Sequence, residues 1–242
     1  MGTVLLWILA SVLCVCILYL LLLGISALLV DEKREYERNS PFYRALLYSA
    51  TTCCVKLLRI RIHTSGIEKL PKDGRFLLVS NHRSNFDPIL TWHVLKDRDL
   101  AFISKAENFK IPIFGRIIRR CCFMAIDRKN PRNAIKTIDK AAELIEKDEV
   151  SIAVYPEGTR SKECVLLPFH NGVFKIAQKA NVPIAVAAIQ GTEQIHKNRL
   201  RRPSDVRFEI IETLPANYVK LNRTAAIGDR VRSDLNKVLT EK

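Results

Sequence analysis

Acidic and basic residues are absent from the first 30 positions of this 242-residue chain, so all 39 Lys+Arg and all 25 Asp+Glu follow them. As a helix, the uncharged run from Thr3 to Val30 would measure about 42 Å against a hydrocarbon core of roughly 30 Å. It has no polar face, which argues against a buried core helix. A cleaved signal peptide fits poorly as well. No Lys or Arg precedes the run, it exceeds the usual signal length, and no small-x-small site stands before Asp31. The expectation is an uncleaved membrane anchor.

Other absences narrow the chemistry. The seven cysteines include no Cys-x-x-Cys spacing: Cys14 and Cys16 lie in the apolar run, Cys53-Cys54 and Cys121-Cys122 are vicinal, and Cys164 stands alone. That pattern suits reduced thiols and suggests neither a disulfide framework nor zinc, and no ligand cluster calls for any other metal. There is no G-x-S-x-G elbow, so a covalent acyl-enzyme is not indicated. The net charge of +14 comes without an RNP-type aromatic motif, a helix-turn-helix signature or a zinc module, so nucleic acid is not expected. Anionic membrane lipid is the more economical partner for that charge. Internal repeats and low-complexity linkers are missing too.

Beyond the anchor, Lys33, Arg34, Arg38, Arg44, Lys56, Arg59 and Arg61 crowd one side of the apolar run. The positive-inside rule then places the rest of the chain in the cytoplasm, at the inner membrane if the source is bacterial. Residues 31–62 read as an amphipathic interfacial segment: Leu46, Leu47, Val55, Leu57 and Leu58 offer an apolar face and the basic side chains reach head groups, unless this is an ordinary packing helix. Residues 63–242 read as a single catalytic domain. Short apolar runs at Arg75–Ser80, Leu100–Ser104, Cys122–Asp127, Val150–Tyr155, Pro183–Gln190 and Val206–Leu214 predict strands. Between them, Asn133–Lys147 places Ile135, Ile138, Ala142 and Ile145 on one helical face, and helices are also predicted at Val173–Ala180 and Ala226–Leu239. The fold class is α/β, a mixed central sheet flanked by helices, with an N-terminal membrane-anchoring helix, either single-pass or interfacial.

Three constellations stand at predicted strand ends, where ligands of open α/β sheets collect. Asn81-His82-Arg83-Ser84-Asn85-Phe86-Asp87-Pro88 puts an imidazole and a carboxylate five apart, a pattern suited to a general base and the group that orients it. Ser84 between them suits a turn or cap hydrogen bond better than a nucleophile. Tyr155-Pro156-Glu157-Gly158-Thr159-Arg160-Ser161 combines a glycine that admits an anion with a guanidinium fork that matches phosphate. Lys105 and Arg128 add two more cations at strand boundaries. Between them Ile113, Phe114, Ile117 and Ile118, interrupted by Arg116, Arg119 and Arg120, suit a surface pressed on a membrane.

In this order, with Phe114-Gly115, Asp127-Arg128 and Val182-Pro183-Ile184, the motifs give a chain that resembles the glycerolipid acyltransferase family over roughly Leu70 to Leu214. It is most similar to bacterial-type 1-acylglycerol-3-phosphate acyltransferases. The resemblance implies that His82 is the general base and Asp87 its partner, and that Lys105, Arg128 and Arg160 hold the phosphate of lysophosphatidic acid. It further implies that Glu157 and Gly158 shape the pocket, and that Val182, Pro183 and Ile184 support the acyl site. The co-substrate would be acyl-coenzyme A or acyl carrier protein, with no resident cofactor. The product would be phosphatidic acid, made for phospholipid synthesis. Glycerol 3-phosphate or another lysophospholipid as acceptor, and a non-catalytic lipid-binding relative, are the alternatives. Tyr155 stands where the family more often has Phe.

Overall fold

A computed structural model describes residues 2–127, 130–198 and 201–240. Among these, seven strands form one sheet: β1 (Ile60–Ser65), β2 (Leu77–Ser80), β3 (Leu100–Lys105), β4 (Met124–Ile126), β5 (Ser151–Val154), β6 (Ile184–Gln190) and β7 (Ser204–Leu214). Their order is β1-β7-β6-β2-β5-β3-β4. From β6 through β4 the strands are parallel, whereas β7 is antiparallel to β6 and carries β1 parallel to itself. The expected mixed sheet is therefore present. β2 (LLVS) and β5 (SIAV) are buried at every position, as strands covered on both faces must be. β7 alternates buried and exposed residues over its first half.

Helices cover both faces: α1 (Gly2–Leu28), α2 (Pro41–Leu57), α3 (Phe86–Val94), α4 (Phe114–Arg119), α5 (Pro131–Glu146), α6 (Lys175–Ala180), α7 (Ile195–Asn198), α8 (Ala216–Leu221) and α9 (Thr224–Thr240). One core joins α2 and α3 to the sheet through Leu47, Leu90, Trp92 and Phe102. The other packs α5, α6 and α9 through Ile138, Ile176 and Val231. α5 starts where Pro131 follows Asn130, whose side chain accepts from Arg132 N and Asn133 N. Its predicted face holds at Ile138, Ala142 and Ile145, but Ile135 is exposed.

The N-terminal region departs from expectation in instructive ways. α1 is exposed from Gly2 to Leu18, then docks: Leu23, Ser26, Ala27 and Val30 are buried, Tyr19 bonds Ser49 at 2.7 Å, and Tyr43 donates to Ser26 O at 3.0 Å. Residues 31–40 form a strap over the domain, held by its glutamates. Glu32 pairs with Arg116 at 2.5 Å, Glu35 with Lys140, and Glu37 with Lys147 at 3.2 Å, while Asn39 N donates to Glu149 at 3.0 Å. α2 is a packing helix, with Leu46, Leu47 and Val55 buried and Leu57 exposed. Arg44, expected among head groups, is buried instead. It pairs with Asp99 at 3.2 Å, donates to Leu100 O at 3.0 Å and to Asn39, and lies 4.6 Å over the Trp92 ring. A buried guanidinium is tolerated because its donors are met. Residues 60–62, read with the interfacial segment, open β1 of the sheet.

Candidate active site

The five parallel strands end on one edge, and each predicted constellation follows one of those ends. β2 stops at Ser80, and Asn81 ties this end to β6: its amide donates to Ile189 O at 2.9 Å and accepts from Ile189 N at 2.8 Å. His82 comes next, at the mouth of a turn closed by α3. Its Nδ1 lies 2.8 Å from Asp87 Oδ2. Asp87, in the first turn of α3, is fully buried. The same oxygen accepts from Arg83 N at 2.6 Å and Ser84 N at 2.7 Å. A carboxylate on Nδ1 makes that nitrogen the N–H donor and leaves Nε2 as the basic atom. Ser84 is buried and makes a turn hydrogen bond, its hydroxyl accepting from Phe86 N at 3.2 Å.

The turn after β5 braces His82 from the other side. Glu157, 3% exposed, accepts from His82 N at 2.7 Å through Oε1 and from Leu167 N at 2.9 Å through Oε2. Burial raises its carboxyl above the ordinary range, with the two backbone donors pulling the other way. Ser161 N donates to His82 O at 2.8 Å, so both backbone groups of His82 are fastened to this turn. Tyr155 stacks on the His82 imidazole with ring centroids 4.3 Å apart. Burial, and then the Asp87 charge, push its phenol well above its usual value, so the hydroxyl stays neutral. Gly158 has φ +67°, and a Cβ there would meet His170 Cδ2 at 2.9 Å. Glycine is required both for the backbone and for the imidazole lying across it.

An apolar cavity of about 200 Å³ opens beside this turn, lined by Ile103, Ile126, Ala134, Ile138, Val154 and Tyr155, with Gly158 and His170 also in its wall. Lys105 ends β3 and Arg160 follows the Glu157-Gly158 turn; both are exposed, with no hydrogen-bond or ion-pair partner among the described residues. Arg128, predicted with them, lies outside the described residues. Val182, Pro183 and Ile184 do not line the cavity. Pro183 O accepts from Leu77 N at 3.0 Å and Ile184 starts β6 beside Leu77, so this motif secures the strand that delivers His82. The apolar face expected at 113–118 is mostly internal, Ile117 and Ile118 being buried.

Sequence reasoning missed Thr192. Fully buried in the turn after β6, it donates to Asp87 Oδ1 at 2.5 Å, the one donor to that oxygen among the described residues. Gly191, at φ +88°, brings it there; a Cβ at that position would sit 2.3 Å from Asp205 O. A glycine directly after a predicted central strand was the available signal.

Fold and site together define an α/β protein whose centre is a carboxylate-oriented imidazole beside an apolar cavity. The chain belongs to the acyltransferase family: the family model described as Acyltransferase matches residues 61–190. It is 29% identical over 187 residues to 1-acyl-sn-glycerol-3-phosphate acyltransferase alpha of Bos taurus, a match covering 76% of this chain and 65% of that protein. The Mus musculus protein of the same name is 28% identical over 228 residues, covering 93% of this chain and 78% of its own length. The 1-acyl-sn-glycerol-3-phosphate acyltransferase of Salmonella typhimurium is 32% identical over 143 residues, with coverages of 59% and 56%. The crystal structure of the 1-acyl-sn-glycerophosphate (LPA) acyltransferase PlsC from Thermotoga maritima shares the fold, with a TM-score of 0.68 at 23% identity over 93% of this chain and 90% of that one.

Proposed function

We propose that this protein transfers a fatty acyl group from an acyl thioester to the free sn-2 hydroxyl of lysophosphatidic acid, forming phosphatidic acid. The observation that carries the reading is the His82–Asp87 dyad, 2.8 Å between Nδ1 and Oδ2, beside an apolar cavity and two unpaired cations. His82 Nε2 takes the hydroxyl proton as that oxygen attacks the thioester carbonyl. Asp87 stabilises the imidazolium that forms. The tetrahedral adduct then collapses, the C–S bond breaks, and the thiolate of coenzyme A or acyl carrier protein leaves; the proton on His82 returns to solvent or to the thiolate. Lys105 and Arg160 bind the acceptor phosphate and so place the hydroxyl, turning binding into orientation. The cavity takes the acyl chain, since most of its wall is hydrocarbon. The names of the curated relatives and the acyltransferase family match support this assignment.

α1 is the one helix among the described residues long and apolar enough to cross a membrane, with a mean hydropathy of 2.9. It would hold the enzyme where its lipid acceptor resides, and the basic residues that follow it support a cytoplasmic orientation of the domain. The test is transfer of a labelled acyl group to lysophosphatidic acid in vesicles, with coenzyme A and carrier-protein donors in parallel. Wild type is expected to form phosphatidic acid, and His82→Ala to turn over about 10²- to 10⁴-fold more slowly. Equal rates for the two proteins would refute the mechanism. Preference for another acceptor would move the assignment to that lipid.

A further inference from the structure

The turn between Lys105 and α4 contains an unusual backbone. Ile113 has φ 62° and ψ −63°, and Phe114 N donates to Pro112 O across it at 2.6 Å. This is a γ-turn of the rarer kind, which strains any β-branched residue. It is held in place from all sides. Gly115 N donates to Ile111 O at 2.8 Å and Ile117 N to Ile113 O at 3.0 Å, and a Cβ on Gly115 would lie 2.4 Å from Phe109 O. The outcome is that Ile111 and Ile113 are 46% and 37% exposed while Ile117 and Ile118, one turn on, are buried. An apolar pair kept outside at the cost of backbone strain has a use outside.

Its position says which. α4 begins at this turn, and α4 is joined to the foot of α1: Arg116 pairs with Glu32 at 2.5 Å, Ser40 N donates to Arg120 O at 3.0 Å, and the Arg120 guanidinium lies 4.5 Å over the Tyr36 ring. Lys110 stands exposed directly before the pair, and Lys105 is exposed at the end of β3 on the other side of the short helical turn Ala106–Lys110. Two isoleucines preceded by lysines, beside a helix tied to the strap that follows the apolar anchor, have the composition of an interfacial membrane element. We infer that the 110–113 turn is a second, shallow contact with the bilayer, seated among anionic head groups, and that it sets Lys105 at the height of a lipid phosphate. The bilayer contact rests on the reading of α1 as a membrane helix, and the use made of Lys105 rests on the phosphate-binding role proposed above.

The test uses the full chain carrying Trp7→Phe and Ile111→Trp, reconstituted in phosphatidylcholine vesicles containing phosphatidylglycerol. The remaining native tryptophan, Trp92, is 2% exposed and gives a constant background, measured in Trp7→Phe alone. The introduced indole is expected to emit to the blue of an aqueous indole, to resist iodide, and to be quenched about twofold by lipids brominated on their acyl chains. Insertion about 5–10 Å into the boundary brings it within reach of those bromines. A chain that floats with the vesicles while its indole is quenched by iodide and not by bromolipid overturns this contact alone. A chain that does not float removes the anchor and the contact together. Shielding from both quenchers, with sedimentation as a dimer, assigns the pair to a second copy and overturns the bilayer contact.

Discussion

Thr192→Val is the sharpest test of how the dyad is held. The substitution keeps the side chain's shape and removes one hydroxyl, the donor to Asp87 Oδ1 at 2.5 Å. Asp87 is fully buried, so no water replaces the lost donor without cost. A hydrogen bond to a charged group contributes about 1.5–3 kcal/mol. If the loss falls on the folded state, melting should drop by about 3–12 °C for a chain of this size. If it falls on the transition state instead, because Oδ2 no longer faces Nδ1 squarely, kcat should fall by about 10- to 150-fold. The acceptor KM should stay unchanged, since Thr192 is fully buried behind the dyad. Thr192→Ser retains the hydroxyl and should restore most of either loss. Acyl-transfer kinetics, thermal denaturation and the proton resonance of His82 Nδ1–H read these outcomes separately. A valine variant with wild-type melting, kcat and imidazole resonance would show that Asp87 needs no anchor at Oδ1, and the positioning argument would fail.

Glu157→Gln sets an amide N–H₂ against one of two backbone donors, His82 N or Leu167 N. It should cost about 1–3 kcal/mol and lower kcat. Burial raises the folded Glu157 carboxyl above 4.5, so the folded state binds its proton more tightly than the unfolded one. The wild type should therefore lose stability relative to Glu157→Gln as the pH climbs from about 4.5 through the raised value; a melting difference flat across that range would contradict this. Arg160→Ala should raise the KM for lysophosphatidic acid at least about tenfold while leaving the KM for the acyl thioester alone, and unchanged acceptor kinetics would remove Arg160 from the phosphate site. Ala134→Phe should fill part of the cavity and shift donor preference toward shorter chains, measured by competition between acyl lengths. An unaltered preference would place the chain elsewhere.

The centre of the sheet was legible because β2, β5 and β6 are apolar at nearly every position, a signature that buried parallel strands leave in any sequence. The dyad was legible for a related reason: His82 and Asp87 are five residues apart, so one strand-to-helix turn suffices to join them. Thr192 lies 105 residues from Asp87, and its place depends on β6 lying beside β2, a tertiary fact with no local mark. β1 was hidden because its residues, Ile-Arg-Ile-His-Thr-Ser, continue the mixed pattern of α2. The break between them is made by Arg59 at φ 52° where a glycine or proline would have shown it. Arg44 read as a head-group ligand because charge is visible in sequence and its partners Asp99, Asn39 and Trp92 are not. Glu157 was expected to shape the pocket, and its two carboxylate oxygens grip the main chain of His82 and Leu167.

The strap of residues 31–40 has a mechanical consequence. Glu32, Glu35 and Glu37 clamp the link between α1 and the domain onto α4 and α5, while Tyr19 and Tyr43 fasten the foot of α1 to α2. A domain on a loose tether would sample many heights and tilts above a bilayer, and its substrate would have to wait for the right one. These links fasten the strap and the foot of α1 to the body, so in the membrane placement proposed above the height of His82 over the lipid surface is set by the fold. For an enzyme held this way, the search for substrate becomes two-dimensional, and the lipids do the travelling.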